Sequence, residues 1–323
     1  MVKRTKAGQT KGGGLGRGLG SAPGTGGRGF FSRMFGGNGA GTAKAAMPTR
    51  REAISIAIAS GKGGTGKSFV ATSLAVVLHQ KLRQVTLVDC DFGLASDHLL
   101  LGVRPQQTLQ HALGAGAGLN TVRMTTPAGP KLVPGGSGLL RMADLSDRQL
   151  LALSELFGEA AATEDVLLLD IGSGIAPQNM LTLLCADHVV MVTQPEIAAL
   201  TDAYAVIKCA ARLRPTCQFS VVVNRVMSPG QGEATFEKLA HVAKQYADVE
   251  VSFLGEISEN PTVTRRRLGQ QPLVVSNPGG DTARELHAIA DRLAEITGPL
   301  APRSVKAESG IAARFQEHRL FLA

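Results

Sequence analysis

The segment Gly61-Lys62-Gly63-Gly64-Thr65-Gly66-Lys67-Ser68 leaves this chain few folds to choose from. It fits the pattern G-x-x-x-x-G-K-[ST], and it stands between an apolar run, Ile54 to Ala59, and a stretch of helical periodicity that opens at Lys67. In a chain with 39 glycines the placement says more than the match. A loop from strand to helix turns several backbone N–H groups toward one point at the positive end of a helix, and only glycine lets the main chain wrap an anion that closely. Such a loop is built for phosphate. Lys67 is spaced to reach the outer phosphates of a nucleotide, and the Ser68 hydroxyl to ligate Mg²⁺.

The rest of the chain supplies the scaffold this loop needs. From residue 53, short apolar runs alternate with helical stretches, the pattern of a mostly parallel twisted sheet flanked by helices on both faces, an α/β fold. The runs predict strands over 53–59, 85–89, 131–133, 166–170, 188–193, 219–223 and 251–254. The 3.6-residue spacing predicts helices over 67–81, 146–161, 177–184, 201–212, 234–247 and 282–297. Aromatic residues are only 4% of the chain, with no Trp, so the core must be built from Ala, Val, Leu and Ile.

Charge divides the chain in a second way. Residues 1–51 contain ten of the 34 Lys and Arg, 15 of the glycines and no acid, leaving 24 basic against 26 acidic residues beyond them. Such a segment cannot bury enough apolar surface to offset its ordering entropy, so 1–51 reads as a disordered basic tail. A cluster of Phe30, Phe31, Met34 and Phe35 interrupts it. The nucleotide domain is then 52–297, followed by a Pro-containing linker at 298–308 and a short helix at 309–323. In that helix Ile311, Phe315, His318 and Leu322 fall on one stripe, the pattern of an amphipathic helix. The four scattered cysteines have no metal-site or disulfide spacing and fit a reduced, cytoplasmic setting. No apolar stretch is long enough for a secretory leader or a membrane span.

Two predicted strands end in acids. Val85-Thr86-Leu87-Val88-Asp89-Cys90-Asp91 closes on D-x-D, and Val166 to Asp170 closes on one carboxylate before Ile171-Gly172-Ser173-Gly174. Beside a phosphate loop, Mg²⁺ needs few protein oxygens, so Asp89 and Asp170 are candidates for the metal along with Ser68. Taken alone, each Asp is equally a strand-end turn former. Gly172 and Gly174 give the second loop freedom to rearrange when a phosphate leaves.

With its second lysine, Lys62, the glycine loop resembles the deviant Walker A loop of the ParA/MinD ATPases. The resemblance extends over about 54–293. It implies ATP and Mg²⁺ as cofactors, slow hydrolysis stimulated by a partner, and a homodimer closed by ATP in which Lys62 reaches the partner subunit's nucleotide. It makes Lys62, Lys67 and Asp91 the catalytic set, with Asp91 positioning the attacking water. Nucleotide binding falls to 61–68 with Phe69, and to Asn224 and Arg225 at the adenine. Ser68, Asp89 and Asp170 serve the metal, Asp170 as the Walker B acid.

Within that family, Asp91-Phe92-Gly93-Leu94-Ala95-Ser96-Asp97-His98-Leu99-Leu100-Leu101-Gly102, Pro134-Gly135-Gly136, and Pro195-Glu196 with Thr201-Asp202-Ala203-Tyr204 are most similar to the flagellar-number regulators (FlhG, FleN, YlxH). That group implies control of the number or placement of flagella, a flagellar partner of the FlhF kind, and peripheral contact with the inner face of the membrane through the C-terminal helix. The alternative is a ParA-type partitioning ATPase whose ATP dimer binds DNA nonspecifically, with the tail and Arg265-Arg266-Arg267 as phosphate contacts.

Overall fold

The computed structural model describes residues 49–93, 95–115, 118–136, 145–265 and 270–322. The basic tail up to residue 48, its Phe30 cluster, Arg266 and Arg267 lie outside the described residues. The chain begins with β1 (Thr49–Glu52) and passes to β2 (Ile54–Ala59), which runs through the glycine loop into α1 (Lys67–Gln80). After β3 (Val85–Cys90) come three short helices, α2 (Asp97–Leu100), α3 (Leu109–Ala115) and α4 (Leu119–Val122), and the small strands β4 (Met124–Thr125) and β5 (Lys131–Val133). Helix and strand then alternate through α5 (Asp147–Thr163), β6 (Val166–Ile171), α6 (Pro177–Cys185), β7 (His188–Thr193), α7 (Ile197–Leu213), β8 (Gln218–Val226), α8 (Gln231–Ala247) and β9 (Val251–Ser258). Short α9 (Pro261–Thr264) and α10 (Leu273–Ser276) lead to α11 (Asp281–Thr297), β10 (Arg303–Lys306) and α12 (Ile311–Leu322).

The main sheet has the order β4-β5-β3-β6-β2-β7-β8-β9, with every pairing parallel except β4 to β5. Its central strands are buried on both faces, which is why they read as unbroken apolar runs rather than alternating ones. In β2, Ile54, Ile56 and Ile58 face α1 and α11 through Leu74, Val77, Leu286 and Ile289. Ala57 and Ala59 face the opposite layer of Leu153, Phe157, Met180 and Ile207. Each large side chain so buried contributes roughly 1.5–3 kcal/mol.

Residues 298–308 do not form a plain linker, and the domain does not begin at 52. β10 pairs antiparallel with β1, Thr49 opposite Lys306 and Glu52 opposite Arg303. Both segments are polar, so each becomes a strand only by pairing with the other. Asp187 ties this clasp to the sheet: it accepts from the Ser55 backbone N–H at 2.9 Å and the Ser55 hydroxyl at 2.7 Å, and it pairs with Arg303 and, at 2.9 Å, with Arg314.

The C-terminal helix forms where the spacing predicts, and three residues of its stripe are covered. Ile311 and Phe315 are fully buried and His318 nearly so, against α5 and α6. Phe315 meets Phe157 edge to face at 5.6 Å between ring centroids. The buried Glu52 carboxylate accepts the Ile311 N–H at 2.8 Å, and Arg314 donates to the Cys185 carbonyl at 2.7 Å. Of the stripe that periodicity revealed, Ile311, Phe315 and His318 are thus packed against the chain's own domain. Phe315→Ala is expected to lower stability in urea unfolding by about 3–5 kcal/mol. A loss below about 1 kcal/mol would mean that α12 detaches without disturbing the domain. Among the described residues, no helix is long and apolar enough to cross a membrane.

Candidate functional site

Parallel strands bring their C-terminal ends to one edge of the sheet, and β2 lies where successive crossovers turn to opposite sides, the place where open α/β sheets bind ligands. The glycine loop occupies that position. Gly64 and Gly66 take positive φ, at 82° and 88°, which a side chain would strain. A Cβ on Gly66 would also collide with the Asn224 amide, and one on Gly61 with the Asp202 backbone in α7. Two side chains from neighbouring strand ends fix the loop: Asn224 donates to the Thr65 carbonyl at 2.8 Å, and Gln194 to the Gly64 carbonyl at 3.1 Å. Among the described residues no side chain caps the first turn of α1, so its N–H groups remain available to an anion.

Lys67 is buried under this loop. Its ammonium lies 2.7 Å from Asp170 Oδ1 and 3.4 Å from the Ser68 hydroxyl. Burial by itself would lower its pKa, but the charge and hydrogen bond of Asp170, with smaller contributions from Asp97 and Asp91, carry it above the ordinary lysine value. Lys67 is thus held charged beside the loop. Lys62 sits on the rim instead, a third exposed, and its ammonium pairs with Glu196 at 2.7 Å. That hydrogen bond and the lysine's charge lower the Glu196 pKa.

The acids converge because β3 and β6 are in register, Asp89 opposite Asp170. Both are buried. Burial first, and then the charge of Asp170, raise the Asp89 pKa to about 7, although the backbone N–H groups of Asp97 and Asp91 hydrogen-bond its carboxylate. Asp91 lies just past β3 in the following loop, half-buried. Its N–H donates to Asp89 at 3.2 Å, and its own carboxylate accepts from Gly93 at 3.3 Å. In the second loop Ile171 points into the core, so the hydroxyl there comes from Ser173, which lies beside Gly63. Asn179 at the start of α6 donates to the Ser173 carbonyl at 2.7 Å.

A cavity of about 190 Å³ opens beside the loop, lined in part by Gly66, Phe69, Asn224, Arg225, Ile257 and Asn260. Arg225 sits at φ 61°, a left-handed conformation rare for its type, and pairs with Glu259 at 2.6 Å. The structure thus brings the phosphate loop, Lys62, Lys67, Ser68, Phe69, Asp89, Asp91, Asp170, Asn224 and Arg225 to one edge. It adds residues that the sequence reading gave no role: Gln194, Glu196, Asn260 and Asp97. Asn260-Pro261 did carry a signal, an N-cap with Pro at the first helical position, and Asn260 accepts from the Thr262 N–H at 2.9 Å.

The donor set fits a hard divalent cation. One carboxylate oxygen from each of Asp89, Asp97 and Asp170 lies within 4.8 Å of the others, all three residues are buried, and among the described residues neither Asp97 oxygen has a hydrogen-bond partner.

Residues 56–273 match the family described as CobQ/CobB/MinD/ParA nucleotide binding domain. The chain is 32% identical over 248 residues to the antiactivator FleN of Pseudomonas aeruginosa, covering 77% of this chain and 89% of FleN. It is 35% identical over 222 residues to the flagellum site-determining protein YlxH of Helicobacter pylori, covering 68% and 74%. Its fold is similar to that of the septum site-determining protein MinD of Pyrococcus horikoshii, solved as a complex with Mg-ADP, with a TM-score of 0.64 and 26% identity over 77% of this chain and 98% of that one.

Proposed function

The chain belongs to the CobQ/CobB/MinD/ParA nucleotide-binding family, and from that premise we propose that it is a Mg-dependent ATPase switch that regulates the number or placement of flagella. ATP closes a homodimer, and hydrolysis reopens it. The observation that carries this reading is the pair of lysines on one loop: Lys67 is buried against Asp170, while Lys62 lies on the rim where a second subunit can receive it. The flagellar assignment draws on the likeness to FleN and YlxH.

In this reading the loop N–H groups and the first turn of α1 hold the phosphates, and the cavity at Asn224 and Arg225 takes the base. The Lys67 side chain swings its ammonium from Asp170 to the phosphates, and Lys62 leaves Glu196 for the partner subunit's nucleotide. Asp91 orients the attacking water. Ser68, Asp89 and Asp170 would hold Mg²⁺, which would supply charge neutralisation to the phosphate oxygens, since phosphoryl transfer is mostly positioning and charge stabilisation. Loss of the outer phosphate frees the loop 172–176, which Asn179 anchors to α6.

Phosphate release by the full chain with Mg-ATP tests the reading. Turnover is expected in the parent, with a loss of at least about tenfold in Lys62→Ala while binding of a fluorescent ATP analogue is retained. Equal turnover in the two proteins would remove Lys62 from catalysis.

A further inference from the structure

Asp97 is the first residue of α2, and it is fully buried. An acid at a helix start is ordinarily in water, where it costs nothing; here it is enclosed with two other carboxylates. Its backbone N–H donates to Asp89 Oδ2 at 3.1 Å, which sets the turn, but among the described residues neither of its side-chain oxygens has a hydrogen-bond partner. Asp97 and Asp170 face each other as two acceptors, so they can share a hydrogen bond only when one carries a proton. A buried polar group without a partner costs roughly 1–3 kcal/mol, and more when charged. Three carboxylates around one point form the oxygen-only donor set a hard cation takes. The Lys67 ammonium lies 2.7 Å from Asp170.

We propose that Asp97 is the third carboxylate of a divalent-cation site, formed with Asp89 and Asp170, that loads without nucleotide and competes with Lys67 for Asp170. The site deepens the ATPase reading, because a cation that displaces Lys67 releases the ammonium toward the phosphate loop. It stands on the placement of three side chains and can hold or fail independently of hydrolysis.

The probe is Mn²⁺, followed by the loss of the free-ion electron paramagnetic resonance signal on titration into the full chain in nucleotide-free buffer. The parent is expected to bind one equivalent. Asp97→Asn, which preserves shape and removes charge, is expected to weaken binding by about tenfold or more, and Asp97→Ala to do the same. Lys67→Ala, which removes the competing ammonium, is expected to tighten it. Circular dichroism establishes that each variant is folded. Should Asp97→Asn not fold, Asp97→Ala and the tightening by Lys67→Ala carry the test. No nucleotide-free Mn²⁺ binding by the parent would overturn the proposal, as would parental affinity in folded Asp97→Asn, the result expected if Asp97 merely shares a proton with Asp170. Turnover of Mg-ATP by the same proteins separates the two readings: a parent that hydrolyses ATP but binds no Mn²⁺ alone keeps the ATPase and loses the site.

Discussion

Lys67→Ala is expected to lose ATP affinity by about 100-fold or more, measured by titration with a fluorescent ATP analogue. The ammonium is buried and held charged, so in the bound state it meets phosphate in a place where water screens little. Truncating one member of such a desolvated pair costs about 2–5 kcal/mol, and each 1.4 kcal/mol is a tenfold change in affinity. The same substitution strips Asp170 of its counter-ion, and an uncompensated buried charge destabilises a fold by about 3–5 kcal/mol. A thermal melt must therefore accompany the titration. A folded Lys67→Ala protein with parental affinity would contradict the role given to the loop.

The second large effect belongs to Asp91. Asp91→Ala is expected to keep nucleotide affinity within a few-fold of the parent and to lower turnover by about 100-fold or more, the range that a positioned proton acceptor contributes. The geometry separates the two quantities: Asp91 lies in the loop after β3, tied to Asp89 and Gly93, whereas the groups around the phosphates come from the glycine loop and α1. Turnover at the parental rate would assign the water to another residue.

How much of this was legible in the sequence depends on what makes each element form. The central strands are buried on both faces by local apolar runs, and the structure places β5 and β7 at the predicted bounds and β2, β3 and β6 within one residue of them. The pair β1 and β10 was missed because Thr49-Arg50-Arg51-Glu52 and Arg303-Ser304-Val305-Lys306 carry no apolar signal; each is a strand only because the other lies beside it. Four-residue helices such as α2 and α9 are too short for periodicity to reveal. The stripe of α12 was visible, but a stripe does not say what covers it, and Phe157, more than 150 positions away, decides that.

The site divides the same way. The loop and the acids Asp89 and Asp170 stand at strand ends that a parallel sheet must bring together, so spacing pointed to them. Contacts such as Lys62 to Glu196 and Gln194 to Gly64 join segments more than 100 residues apart, and no local pattern encodes them. In the sequence Asp97 was only one residue of a segment similar to the flagellar-number regulators, and only the fold shows it buried beside Asp89 and Asp170.

The central claim is that ATP, and not ADP, joins two copies of this chain. The most direct measurement is the light-scattering mass of the Asp91→Ala protein, whose slowed hydrolysis preserves the bound triphosphate, in Mg-ATP and in Mg-ADP. A mass near twice that of the monomer in Mg-ATP, and a monomer in Mg-ADP, is the predicted result. The same mass in both nucleotides would contradict the switch.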